Sequence, residues 1–491
     1  MNRKPQGTQK VLNGINVEGL NEKLQDCPDI IQKKVYIGNS QEAFFFFIES
    51  LIDKDLLQRD FISPIIGMNL NHLCNEKNIS NLPCVKTTLL YDNEAVIEYI
   101  LAGKAVFVCD ALPHAISCIE DKKKQRAIEE PVTEKNIRGS HEGFVETLNT
   151  NLSILRRKIK NARLKFKTTI LGTQTNQLVA VAYVDGIANM DIVNSLFENI
   201  SKIEIDGLPA IGYIEQSISS HPNSLFPEFI ATERPDKAMA ALLEGRIVIL
   251  QEGTPVVLIA PVSFISFFQA VDDYSTSWTH GSFLRMVRVT ALIIAILLPA
   301  IYISATSYHY YIVPLNLLIP LAESRAKVPF PPILEVLILE AIVEMIREAA
   351  VRLPTYIGTS ISVFASLVIG QAAVEAGIVS NILIIIVAAS AVASYVIPSF
   401  DMAMAIRILR FGFTLAASLF GMIGIIVLFG FTLFHLISIE SLGQPYFQPF
   451  TPLVPNNLKD TIFRLPLTAM GKRTAMTKTK NKTRSRNHAE K

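Results

Sequence analysis

Glu340, Glu344 and Glu348 recur every four residues in a stretch whose other side chains are mostly apolar. That spacing sets the three carboxylates along one side of a helix. Gln371 and Glu375 repeat the interval at the end of the next apolar run, and Glu375 has no basic neighbour in sequence. A charge at mid-membrane costs about 2.5–3.5 kcal/mol on the lenient insertion scale, so such groups must face water or partners. Rings of these carboxylates, one set from each of several subunits, would attract cations. The five residues are therefore candidates for lining an ion path. The competing reading has Glu344, Arg347 and Glu348 pairing locally on an interfacial helix outside any pore.

Covalent catalysis finds no such support. A phosphate-binding G-x-x-x-x-G-K-[ST] loop is absent, since Gly103-Lys104 lacks a glycine five positions upstream. H-E-x-x-H, a His/Cys cluster with zinc spacing and a G-x-S-x-G elbow are missing as well. The eight histidines are scattered. The expectation is a protein that is not an enzyme and carries no cofactor or metal. A net charge of +2 with no basic, aromatic-interleaved patch argues against nucleic acid as a partner.

The elements that must position the carboxylates are helices in lipid. Only 18% of the 491 residues are charged, against ~25% in soluble domains, and the deficit falls between Val289 and Ile439. Four uncharged runs approach or exceed the ~20 residues needed to cross a bilayer: Val289–Tyr308, Leu353–Val374, Ile382–Phe400 and Phe411–Ile439. Ile333–Val351, which bears the glutamates, reads as an interfacial or buried polar helix, and Val313–Ala322 as re-entrant or interfacial. Gly358, Ser362, Ser366 and Gly370 recur every four residues, a ridge of small side chains on which another helix could pack. The start has no apolar segment of the kind a cleavable signal needs, and five cysteines without paired spacing fit a reducing compartment. With a cytosolic N-terminal region and a basic tail, the expectation is four crossings. It leaves Arg407 and Arg410 on the wrong side of the positive-inside tendency.

The soluble region contains a repeat. Ile100-Leu-Ala-Gly-Lys-Ala-Val-Phe-Val-Cys-Asp-Ala-Leu-Pro113 aligns without a gap on Leu242-Leu-Glu-Gly-Arg-Ile-Val-Ile-Leu-Gln-Glu-Gly-Thr-Pro255. Each copy reads as a helix end, a Gly-Lys/Arg turn, an apolar strand and a tight turn. Upstream, Phe47–Asp53 matches Tyr183–Asn189, with Asp53 and Asn189 as N-caps. The organisation expected is a flexible segment (1–33), a first α/β subdomain (34–120) and a charged connector (121–164) with a helix from His141 to Leu164. A second α/β subdomain (165–280), a helical membrane domain (285–440) and a C-terminal segment with a basic tail (441–491) follow. The fold class is thus a mixed α+β or α/β soluble region of two related tandem subdomains, then an all-α multi-spanning membrane domain.

Several strings resemble the A subunit of GerA-type spore germination receptors. They are Arg138-Gly-Ser-His-Glu-Gly-Phe144, His221-Pro-Asn-Ser-Leu-Phe-Pro, Thr232-Glu-Arg-Pro-Asp236, Leu243-Glu-Gly-Arg246, Gly253-Thr-Pro255, Val328-Pro-Phe-Pro331, Arg347-Glu-Ala-Ala-Val-Arg-Leu-Pro354, Val368-Ile-Gly-Gln-Ala-Ala-Val-Glu-Ala-Gly377 and Asn457-Leu-Lys-Asp460. The likeness runs from about residue 36 to 468. It implies a multi-pass protein of the spore inner membrane, its soluble region cytosolic. It further implies a homo-oligomer surrounded by membrane lipids, working with a transporter-like B subunit and a lipid-anchored C subunit. The implied role is a non-enzymatic receptor subunit that senses nutrients and triggers germination by forming or gating an ion-release path. An independent secondary transporter is the alternative, although transporters of that class carry their repeat within the membrane part; a membrane-anchored enzyme ranks third.

Overall fold

A computed structural model describes residues 15–37, 41–79, 81–84, 86–119, 131, 134, 138–353, 368, 370–455 and 457–484. Two five-stranded sheets organise the first half. The first takes the order β1-β2-β4-β5-β3 from β1 (Ile30–Ile37), β2 (Gln41–Ile48), β3 (Lys86–Leu90), β4 (Ala105–Val108) and β5 (Ala115–Ile119). The second takes β6-β7-β9-β10-β8 from β6 (Leu164–Leu171), β7 (Gln177–Val184), β8 (Ile230–Thr232), β9 (Ile247–Gln251) and β10 (Val257–Ala260). Adding five to each strand of the first order yields the second, and every paired neighbour is antiparallel. The sequence repeat therefore coincides with a repeat in topology.

Period-two alternation assigns each strand residue to a face. Phe45, Phe47 and Phe107 enter the core on one face of the first sheet, while Phe46, Ile48, Val106 and Val108 enter the core on the other. Both faces are covered, which is why β4 and the Ala43–Ile48 part of β2 are apolar without interruption. Helices α1 (Val17–Leu24) and α2 (Asn93–Leu101) cover the second of these faces. The second sheet carries α3 (Leu148–Lys158) and α6 (Pro235–Leu243) on one face, and α4 (Met190–Ser201) and α5 (Gly212–Ile218) on the other. The connector helix is shorter than expected, occupying Leu148–Lys158 of the predicted 141–164. The chain leaves it for a turn at Asn161 that leads straight into β6.

Helices α2 and α6 end in the same way. The amide of Gly103 donates to Ile100 O and that of Lys104 to Tyr99 O; Gly245 and Arg246 do the same to Leu242 O and Ala241 O. This closing pattern needs a left-handed residue, supplied by Gly103 at φ +83° and Gly245 at φ +86°.

The second half is a helical bundle: α7 (Trp278–Ser307), α8 (Leu315–Ala326), α9 (Pro332–Arg352), α10 (Asn381–Tyr395) and α11 (Phe400–Ser438). Two of these, α7 and α11, are long and apolar enough to cross a membrane. The run expected as Ile382–Phe400 stops at Tyr395, and a new helix opens at Phe400 with the Ser399 hydroxyl accepting from Met402 N. Helix α11 is not continuous. Gly421 lies at φ +59°, ψ −138°, and the arms 400–420 and 422–438 fold back on each other so that Gly424 packs on Ala416 O. A side chain at Gly421 would strike Tyr308 and His309 at the far end of α7. The near ends of these helices share a core with the second sheet: Ala291, Ala295, Ala393, Ile397, Met402, Ile406 and Leu436 pack with Phe226 and Ile259.

Candidate functional site

The carboxylates of α9 meet arginines of α11 inside the bundle. Glu340 is fully buried and lies 3.2 Å from Arg410 Nε. One turn later, Glu344 accepts from Arg407 Nη1 at 3.0 Å and Arg410 Nη2 at 3.2 Å, and it faces Arg347 of its own helix at 3.2 Å. Helix α10 completes the cluster. Ser390 Oγ accepts from Arg410 at 3.4 Å and Ser394 Oγ from Arg347 at 3.1 Å, while the Arg347 guanidinium stacks 4.3 Å over the Tyr395 ring.

The intervals explain the fit. Carboxylates four apart on α9 oppose guanidiniums three apart on α11, so one turn of each helix matches one turn of the other. At 3.2 Å and an effective dielectric of about 20, each pair gains roughly 5 kcal/mol, comparable to the several kcal/mol needed to dehydrate each ion. The cluster therefore persists because its charges compensate one another. Two carboxylates against three guanidiniums leave it one positive charge in excess.

The other candidate residues lie elsewhere. Glu348 is exposed and paired with Arg352 at 2.6 Å, a contact worth about 0–1 kcal/mol. Gln371 and Glu375 are exposed on the helical stretch 370–375, and Glu375 forms no ion pair among the described residues. Of the small-residue ridge, Gly358, Ser362 and Ser366 lie outside the described residues. Gly370 is half-buried, and a methyl group added there would meet nothing within 4 Å. Glu335 is fully buried and caps α10, accepting from Ser380 N at 3.1 Å.

A second ionic cluster joins the soluble region to the bundle. Asp273, fully buried, accepts from Arg285 Nε at 3.0 Å and from Arg288 Nη1 at 2.7 Å. Arg285 Nη1 also donates to Asp460 at 2.7 Å, as does the Tyr274 hydroxyl at 2.7 Å. Arg464 donates to the main-chain oxygens of Asp273 and Thr276. Although Tyr274 is 39% exposed, dehydration around its hydroxyl, reinforced by the Asp460 charge it donates to, pushes the phenol above its ordinary range, so it stays a donor at physiological pH. The segment after α11 is thus tied to the start of α7. In the sequence Arg285 and Arg288 stand just before the apolar run Val289–Tyr308, and their three-residue spacing is the one local signal of a shared partner.

A third contact bears on pH. The Ser224 hydroxyl lies 3.0 Å from His435 Nε2 at the end of α11, and buried Glu228 accepts from the amides of Ser220 and His221. Burial, with the charges of Asp401 and Glu228 facing it, pushes the Glu215 carboxyl up to about 7. An unfolded glutamate titrates near about 4.3, so between these values the folded state holds the extra proton and stability falls as pH rises. Glu215→Gln is expected to leave the unfolding midpoint unchanged near pH 4, raise it at pH 8 and flatten the decline between them, as read by thermal unfolding across that range.

The family model "Bacillus/Clostridium GerA spore germination protein" matches residues 18–476. Spore germination protein KA of Bacillus subtilis (strain 168) is 36% identical over 465 residues, 93% of this chain and 85% of that protein. Spore germination protein GerQA of Bacillus cereus is 35% identical over 472 residues, 96% of this chain and 94% of that protein. Among solved structures, the N-terminal domain of the A subunit of the Bacillus megaterium spore germinant receptor GerK3 aligns at 26% identity and a TM-score of 0.38, covering 52% of this chain and 99% of that one. With a match that spans both the sheets and the helical bundle, this chain belongs to the GerA spore germination protein family.

Proposed function

We propose that this chain is the A subunit of a germinant receptor, embedded in the spore inner membrane, whose oligomerised helical bundle forms or gates an ion-release path. Its partners in this reading are a transporter-like B subunit and a lipid-anchored C subunit. The observation that carries the proposal is family membership across both halves of the chain, which ties the soluble region and the bundle to germination as one unit.

The bundle geometry supports a multi-pass reading. Helix α7 runs from the soluble region to Tyr308, where Gly421 meets it, and the two arms of α11 run out and back. Helices α9 and α10 both run back toward the soluble region, since Glu335 meets Ser380 at their starts and Arg347 meets Ser394 near their ends. Among the described residues, α7, α9, α10 and the two arms of α11 each run between the two ends of the bundle, and Leu353 and Asn381 lie at opposite ends of it.

Within this scheme Glu340 and Glu344 are held by arginines, which leaves Glu375, with Gln371 beside it, as the carboxylate free to face a path between subunits. Glu375→Gln is expected to slow germinant-triggered ion release severalfold while the protein accumulates normally with its partners. Glu344→Gln is expected to lower accumulation first, because three guanidiniums lose their shared acceptor. Ion leak from liposomes holding this chain alone, and then with its partners, reads both variants. Unchanged release by Glu375→Gln at normal protein levels would move the path elsewhere.

A further inference from the structure

The second arm of α11 is too short to cross a bilayer alone. Residues 422–438 number 17 and span about 26 Å at 1.5 Å per residue, against ~30 Å of hydrocarbon. The arm starts at the far end of α7, where Tyr308, Tyr310 and Tyr311 are exposed in the manner of interfacial aromatics. It ends inside the soluble region. Ser441 Oγ accepts from Val262 N at 3.0 Å, and Tyr446 O accepts from Phe264 N at 2.9 Å. Where this arm stops, the soluble region is therefore drawn down to the bilayer surface.

Two loops stand at that level. In the first, 222–227, Ser224 Oγ lies 3.0 Å from His435 Nε2, which is 14 residues past Gly421 and about 21 Å along the arm. A string of rings joins the second, 447–455, to the same histidine. His435 lies 6.1 Å from Phe226, Phe226 6.2 Å from Phe264, Phe264 5.9 Å from Phe447 and Phe447 5.5 Å from Phe450. Neither loop has a charge, and the whole stretch 441–457 lacks Asp, Glu, Lys and Arg. Each turns a leucine outward, Leu225 at 45% exposure and Leu453 at 67%. A single exposed leucine is ordinary on a soluble surface. Here, however, Ser224 brings Leu225 beside the exposed row Phe431, Phe434 and Ile437, which continues the lipid-facing side of α11.

We propose that the loops 222–227 and 447–455 lie in the interfacial layer of the phospholipid bilayer, with Leu225 and Leu453 among the upper acyl chains. Uncharged loops rich in proline and aromatic residues suit that layer, where an apolar body is buried and polar groups stay wet. The inference rests on the reading of the bundle as membrane-spanning. It adds that the subdomain of the second sheet is seated on lipid and is not held clear of it by the helices.

The test uses the full-length protein in vesicles of phosphatidylcholine and phosphatidylglycerol. Its one tryptophan is removed by Trp278→Phe, and a reporter is set at an exposed position by Leu225→Trp, Leu453→Trp, Phe431→Trp or Ile170→Trp. Phosphatidylcholine brominated either high on the acyl chain or near its end serves as the quencher. Leu225→Trp and Leu453→Trp should lose about half their emission or more to the high bromine, at the roughly 5–10 Å depth of interfacial elements, and less to the deep one. Phe431→Trp should be quenched by the deep bromine, and Ile170→Trp, on the sheet edge opposite β8, by neither. An unquenched Phe431→Trp would defeat the membrane-spanning reading itself. With Phe431→Trp quenched, a Leu225→Trp or Leu453→Trp no more affected than Ile170→Trp would overturn the proposal alone. If aqueous acrylamide then quenches neither loop reporter, a second copy of the chain covers the loops in place of lipid.

Discussion

Arg410→Ala is expected to cost the bundle about 3–5 kcal/mol, the range for removing one partner of a buried ion pair. Arg410 is 1% exposed and serves two carboxylates and a serine, so its loss strands Glu340 completely and Glu344 in part. Helices α9, α10 and α11 would lose the contact that sets their mutual register. The readout is the unfolding midpoint of the detergent-solubilised protein, together with its abundance in membranes. Pairing Arg410→Met with Glu340→Leu should recover most of the loss, because a well-packed apolar pair avoids the dehydration of both ions. A single variant as stable as the parent would show that water or lipid headgroups already compensate Glu340.

Asp273→Ala ranks next, at about 3–5 kcal/mol by the same argument. It leaves Arg288 without a carboxylate partner and Arg285 with Asp460 alone. The effect should appear as detachment rather than global unfolding. The first sheet shares no core with this cluster, so its resistance to protease should be unchanged, whereas cleavage near 457–464 should accelerate. Asp273→Asn, which keeps the shape and one acceptor, should recover part of the loss. Uniform acceleration of cleavage throughout the chain would assign Asp273 to general stability instead.

Much of the soluble architecture was legible in advance, for local reasons. Asp53 and Asn189 accept from backbone amides as N-caps should, because capping depends only on residues two or three positions away. Gly103 and Gly245 are legible for the same reason: a left-handed residue at the end of a helix selects glycine wherever the helix goes. The break within α11 is not legible in the sequence, although Gly421 and Gly424 stand in plain view. Glycines inside an apolar run serve helix packing as readily as a reversal, and only the approach of Tyr308 and His309 distinguishes the two.

The candidate site divides along the same line. The four-residue interval of Glu340, Glu344 and Glu348 put the carboxylates on one helical side, and the apolar runs around them required partners or water. Neither could name the partner. Arg407 and Arg410 looked like charges in the wrong place for a topology rule, yet they are the counterions of Glu340 and Glu344, more than 60 residues away in the chain. Hydropathy and periodicity are sums over neighbouring residues, so by itself the sequence determined the apolar runs, the helical side that carries the glutamates, the repeated motif and the family. Which helix lies beside which depends on short-range forces between groups far apart in the chain, acting over about 3 Å. Only the tertiary structure therefore decided that the arginines of α11 meet Glu340 and Glu344, and that α11 doubles back.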